Sequence, residues 1–215
     1  GRVIAENIAG NPARFTGAVG AALVKVCTIN MGCVGLSEAQ ATAAGIACEC
    51  VWGGFSDKPD YYPESREIVL KMIYGPDDGR LLGLQAAGSG DICRRIDVFS
   101  SMLQRSARID DLLAFEHGYA PPYSEALDPL HHLASLAHAR GRGLKMLPPC
   151  VASSRYERLV GGKFIWLDIR ESEHFEENKP GMYQEGNYVH IPLNDLRARI
   201  GELDKNAVYV IMCGR

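Results

Sequence analysis

The sequence predicts an α+β fold: an antiparallel sheet with helices on one face, then a shorter block in which strands and helices alternate as in a parallel α/β layer. Three observations carry this. Apolar runs of strand length, separated by turn signals, precede the long stretches of helical spacing, so the first block lacks βαβ alternation. Gly141-Arg142-Gly143 and Leu147-Pro148-Pro149-Cys150 then interrupt both patterns, as a linker does. Beyond that interruption, short strands and helical turns follow each other in regular alternation.

Residues 1–10 read as an amphipathic helix ending at Gly10, and 18–34 as apolar, partly β-branched buried strands around a turn at Asn30 to Gly32. Ser37 caps a short helix that Gly45 closes. Residues 46–54 and 67–74 are strands, Pro76-Asp77-Asp78-Gly79 is a turn, and 80–87 is the hairpin partner. Ile92, Ile96, Phe99 and Leu103 then mark a helix over 92–105, Leu112, Leu113 and Phe115 a second over 109–117, and a third follows Asp128 to about Arg140. After a linker over 141–157, strands are expected at 164–170, 188–191 and 207–212, with a helical turn at 171–177 and a helix at 193–201 between them.

With 47% hydrophobic and 23% charged residues, the 215-residue chain reads as an ordinary soluble one of one or two domains. Its net charge is −3 and its basic residues are scattered, which argues against nucleic acid as a partner. No apolar run approaches the roughly 18 residues of a membrane span, and no signal peptide pattern opens the chain, so membrane association is not expected and the location reads as cytoplasmic. Seven cysteines without dense spacing predict mostly free thiols. Cys48 and Cys50 alternate along a strand and lack metal-ligand spacing, and adjacent His131 and His132 on a helix do not face each other; no metal is expected. Helix-like residues at the start and a loop just beginning at Cys213-Gly214-Arg215 suggest a piece of a longer protein.

Tyr119-Ala120-Pro121-Pro122-Tyr123-Ser124 is the most constrained segment, because prolines fix φ and push the preceding residue out of the α region. Tyr119 is therefore expected on a stiff stretch where a helix has just stopped. Two roles stay open: an aromatic packed on its own core, or a phenol held out for chemistry or for a partner.

In order along the chain come Gly1-Arg2 through Asn7-Ile8-Ala9-Gly10, Gly35-Leu36-Ser37-Glu38 with Ala41 and Gly45, and Tyr61-Tyr62-Pro63. Leu81-Leu82-Gly83-Leu84-Gln85 with Gly88, Arg94-Arg95-Ile96-Asp97, and Tyr119-Ala120-Pro121-Pro122 with Asp128-Pro129 complete the set. Together they resemble the C-terminal dimerisation domain of FAD- and NAD(P)H-dependent disulfide reductases, in particular the coenzyme A-disulfide reductase, NADH oxidase and peroxidase branch. Residues 1–140 would be that domain, with 1–10 the tail of the FAD domain. Leu167-Asp168-Ile169-Arg170-Glu171 with Phe175, His190-Ile191-Pro192-Leu193 and the strand leading to Cys213 resemble a rhodanese domain, incomplete over 158–215. Asn178-Lys179-Pro180-Gly181-Met182-Tyr183-Gln184-Glu185-Gly186 departs from the compact loop usual there.

The resemblance implies a flavin-dependent reductase of coenzyme A disulfide, persulfide or polysulfide, acting as a homodimer. It implies FAD and NAD(P)H on domains upstream of residue 1; the chain has no Gly-x-Gly-x-x-Gly and is expected to bind neither tightly. It also places tyrosines over the thiol site of the other subunit: Tyr119, and Tyr61 or, one place off, Tyr62. Cys213 becomes a sulfurtransferase nucleophile at the end of a central strand, against a second reading as a buried structural thiol, while Asp168 and Arg170 brace the fold beside it. From a different class, the chain reads as a non-catalytic dimerisation and interaction module with a degenerate rhodanese fold.

Overall fold

Eight strands fall into two separate sheets in a computed structural model, which describes residues 1–147, 161–183 and 185–213. The chain divides into compact units Gly1–Leu144 and Lys145–Arg215. The expected linker over 141–157 lies outside the described residues from 148 onward, as do Cys150, Gln184, Gly214 and Arg215.

In the first unit, β1 (Ala22–Val26), β2 (Ile29–Gly35), β3 (Glu49–Ser56), β4 (Glu67–Tyr74) and β5 (Leu81–Gly88) form one sheet of order β1-β2-β5-β4-β3. Every neighbouring pair is antiparallel. The β4–β5 hairpin turns where Pro76 to Gly79 predicts it, with Gly79 at φ +68° and its N–H donating to Gly75 O at 3.0 Å. Ser37 caps α2 (Glu38–Ala43) reciprocally with Gln40, and Gly45 leaves at φ +69°.

Alternation assigns the two faces. Val34, Val51, Ile68, Leu70, Met72, Leu84 and Ala86 share one face and are buried. Upon it lie α3 (Cys93–Gln104) and α5 (Pro129–Gly141), which bury Ile96, Phe99, Leu130, Leu133 and Ala134, with Leu112 of α4 (Ile109–Ala114). Helices on one face of an antiparallel sheet is the predicted layering. Helix α1 (Arg2–Ile8) buries none of its residues.

Three expectations are corrected. Residues 18–34 do not form buried strands around Asn30 to Gly32: the turn is Cys27-Thr28, with Cys27 at φ +53°, and every residue of β1 is exposed. Val24, Val26, Ile29 and Met31 are apolar because they form a strip on the uncovered face, continued across the sheet by Ala87 and Val69. Strand β3 begins at Glu49 instead of residue 46. Helix α4 stops at Ala114 and does not run to 117, because Phe115 turns extended and stacks on His131, ring centroids 4.3 Å apart. The prolines therefore follow the end of the helix without causing it. His131 is held in that stack, with Nε2 3.0 Å from Phe115 O, while His132 stacks on Phe55.

The second unit has a parallel sheet of order β7-β6-β8, from β6 (Ile165–Asp168), β7 (Tyr188–His190) and β8 (Tyr209–Met212). Helices α6 (Ser172–Glu177) and α7 (Leu193–Arg199) alternate with these strands as predicted. Trp166, Phe175 and Tyr183 form its buried aromatic cluster.

Candidate functional site

Tyr61 stands on a loop spanning residues 57–66, between β3 and β4. Asp57, 1% exposed, ties the loop shut: Oδ1 accepts from Arg66 N at 2.8 Å, and Oδ2 from Asp91 N at 2.9 Å and Lys58 Nζ at 2.9 Å. Burial alone would raise its carboxyl, but these donors outweigh it and hold the pKa below the usual carboxylate range. Ser65 Oγ donates to Lys58 O and Ser56 Oγ to Asp60 Oδ1, so the loop is braced internally. Tyr61 projects from it with 74% of its surface exposed; Tyr62 is half-buried.

Tyr119 lies on a segment closed by His117, whose Nε2 is 3.1 Å from Glu125 O. Within it Pro121, Pro122 and Tyr123 form a turn in which Tyr123 N and Ser124 N donate to Ala120 O at 2.8 and 3.0 Å. The proline φ values and these bonds stiffen the loop, and Tyr119 is 52% exposed.

These two loops meet. The Tyr119 side chain comes near enough to Tyr61 to act on it electrostatically: local desolvation and, after it, the neighbouring Tyr119 push the Tyr61 phenol above its ordinary pKa. Two motifs distant in sequence thus deliver a pair of exposed phenols to one point.

Sequence reasoning missed what lies beneath them. Arg95, 1% exposed, donates from Nη2 to Asp57 O at 3.0 Å and from Nη1 to Asp91 O at 2.8 Å, and its Nε is 3.0 Å from Asp128 Oδ2. Arg94 Nη2 donates to Tyr123 O at 2.6 Å. Asp128 also caps α5, accepting from Leu130 N at 3.0 Å. A signal was present: Arg95 falls three residues after Ile92 and four before Phe99, on the apolar stripe of its helix.

In the second unit, Cys213 is exposed and follows β8 directly, which pairs with the central strand β6. Asp168, fully buried, accepts from Arg170 Nε at 3.0 Å, Arg170 Nη2 at 2.8 Å and Tyr183 OH at 2.9 Å. Burial opposes its ionisation, and the Arg170 hydrogen bonds outweigh this and lower its pKa. Tyr183 is pushed well above the ordinary phenol range by burial and by Asp168. Its ring stacks on Tyr188 at 4.9 Å, so Tyr183 packs into the aromatic core. The Arg170 guanidinium lies within electrostatic reach of Cys213.

No group of His, Cys, Asp and Glu among the described residues is arranged to hold a metal ion. The five-stranded sheet is antiparallel throughout and so has no carboxyl edge of parallel strands, the place where a doubly wound fold seats a dinucleotide. No helix among the described residues is long and apolar enough to cross a membrane.

With this geometry in view, residues 21–131 match the family model for the pyridine nucleotide-disulphide oxidoreductase dimerisation domain. A curated NAD(P)H coenzyme A polysulfide/persulfide reductase from Pyrococcus horikoshii is 38% identical over 134 residues, 62% of this chain and 30% of the relative. A solved NAD-dependent persulfide reductase from A. fulgidus is 31% identical and superposes with a TM-score of 0.83 over 99% of this chain and 36% of its own length. Reduced CoADR-RHD from Bacillus anthracis, 26% identical, superposes with a TM-score of 0.81 over 99% of this chain and 37% of its own. The chain thus spans about a third of the length of the relatives it matches. On the match to its five-stranded unit, the chain belongs to the pyridine nucleotide-disulphide oxidoreductases and carries their dimerisation domain.

Proposed function

We propose that this chain is the dimerisation domain, joined to a rhodanese-like domain, of a homodimeric FAD- and NAD(P)H-dependent reductase of coenzyme A disulfide, persulfide or polysulfide. The observation that carries the reading is the convergence of Tyr61 and Tyr119, two exposed phenols on separately braced loops, near enough for Tyr119 to act on Tyr61. Reducing a disulfide to two thiols takes two electrons and two protons. The flavin and nicotinamide supply the electrons, on parts of the reductase other than the sheet described here. The departing thiolate needs a hydrogen-bond donor, and a phenol with pKa near 10 keeps its proton at neutral pH and can give it. The Tyr61–Tyr119 pair donates to that sulfur in the site of the other subunit. Relatives named for coenzyme A polysulfide/persulfide and persulfide reduction support this substrate class.

In the second unit, Cys213 is the nucleophile that accepts or delivers sulfane sulfur, beside an Arg170 cation fixed by Asp168. The match to CoADR-RHD extends over 99% of the chain and supports treating the two units together.

The test is made in the full-length reductase, where Tyr119→Phe and Tyr61→Phe are expected to lower kcat/KM for coenzyme A disulfide by on the order of 10²-fold. Unchanged turnover in both variants returns the chain to a dimerisation and interaction module. Thiosulfate-to-cyanide sulfur transfer in Cys213→Ser decides the second unit: equal rates with and without the thiol remove Cys213 from the chemistry.

A further inference from the structure

Arg94 and Arg95 occupy the first turn of α3, where a cation opposes the helix dipole, and Arg95 is buried at 1% exposure. Helix stability does not account for them, and burying a guanidinium is costly unless it is hydrogen-bonded and paired. Their contacts show what they join. Arg95 holds the carbonyl of Asp57, the first residue of the Tyr61 loop, through Nη2 at 3.0 Å. The Asp57 carboxylate in turn holds Arg66 N at 2.8 Å, the last residue of that loop. Arg95 Nε sits 3.0 Å from Asp128, which starts α5 just beyond the Tyr119 segment. Arg94 Nη2 takes the carbonyl of Tyr123, four residues after Tyr119, at 2.6 Å. One helix turn therefore grips both phenol-bearing loops.

We propose that Arg94 and Arg95 are positioning residues that hold the two phenol-bearing loops together, Arg95 setting the Tyr61 loop and Arg94 the Tyr119 segment. The catalytic consequence rests on the reading of that tyrosine pair above; the positioning itself does not. Neither arginine touches substrate in this account.

The experiment uses the full-length reductase with 3-fluorotyrosine at position 61, whose ionisation is followed by fluorine NMR. Arg94 is the decisive position, because its side chain is 33% exposed and it can be replaced without opening the core. Arg94→Met is expected to move the position-61 midpoint downward, as Tyr119→Phe does, and to cause no further shift when Tyr119 is already Phe. Arg94→Lys, which keeps a cationic donor at this position, is expected to restore the midpoint. The direction is diagnostic: losing a nearby cation by itself raises a phenol pKa, whereas moving the Tyr119 phenol away from Tyr61 lowers it. An unchanged or raised midpoint in Arg94→Met overturns the proposal. Turnover of coenzyme A disulfide is measured on the same variants and is expected to fall about 10-fold in Arg94→Met with little change in KM. If Tyr119→Phe leaves turnover intact, the reading of the tyrosines fails, while the fluorine titration still decides whether Arg94 positions them.

Discussion

Asp57 shows how one side chain sets the geometry of a site it does not enter. Its carboxylate closes the Tyr61 loop and fastens it to Asp91, while its carbonyl is held by Arg95. Because those donors depress its pKa, the folded state keeps the group ionised to lower pH than the unfolded chain does. The sign follows: the carboxylate stabilises the fold above an unfolded value of about 3.9, and this contribution is lost as pH falls through the depressed folded value. Asp57→Asn is accordingly expected to lower the urea midpoint at pH 7 and to differ much less from the parent near pH 3; a difference constant between the two would contradict the assignment. The two tyrosines were legible as candidates because their motifs are local and proline-marked. Their meeting was not, since it depends on Asp57, Arg95 and Asp128, which are far apart in sequence and converge only in the folded chain.

Elements were legible where a local signal fixes them and obscure where only the partner decides. The Ser37 capping box and the Gly79 turn are written in adjacent residues, and both form as expected. The β1–β2 region was misread because β-branched apolar residues state a strand without stating which face is covered. Val24 and Met31 lie on the uncovered face, opposite the helices. Helix α4 was drawn too long because helical spacing continues through Phe115, and the stack on His131 that redirects the chain comes from α5. Gly83 marks a close approach that does show in the sequence as a glycine within an apolar strand. A Cβ there would sit 2.0 Å from Leu36 O, at the point where Leu36 N donates to Leu82 O at 2.8 Å. Gly83→Ala is expected to destabilise the first unit by about 3 kcal/mol in chemical denaturation. Unchanged stability would mean that β5 and the residues before α2 are held less rigidly than this contact requires.

For the whole molecule, the chain's two units carry different logics: an antiparallel sheet with one helical face, and a parallel sheet with alternating helices. That change of class was visible in the sequence, because strand and helix signals separate in the first block and alternate in the second. The uncovered strip of Val24, Val26, Ile29, Met31 and Val69 is an apolar surface of the kind that marks an interaction site. The order of the strands around β6 was not visible, since strand order within a sheet is a long-range property. The central claim is that Tyr119 serves the redox centre of the other subunit, and mixed dimers test it most directly. One subunit carries Tyr119→Phe with its redox centre intact, and the other keeps Tyr119 but lacks its redox-active cysteine. Each parent homodimer is impaired, and the mixed dimer is predicted to recover coenzyme A disulfide reduction to about half the wild-type rate per dimer, because one of its two symmetric sites is whole. A mixed dimer no more active than its parents would contradict the account.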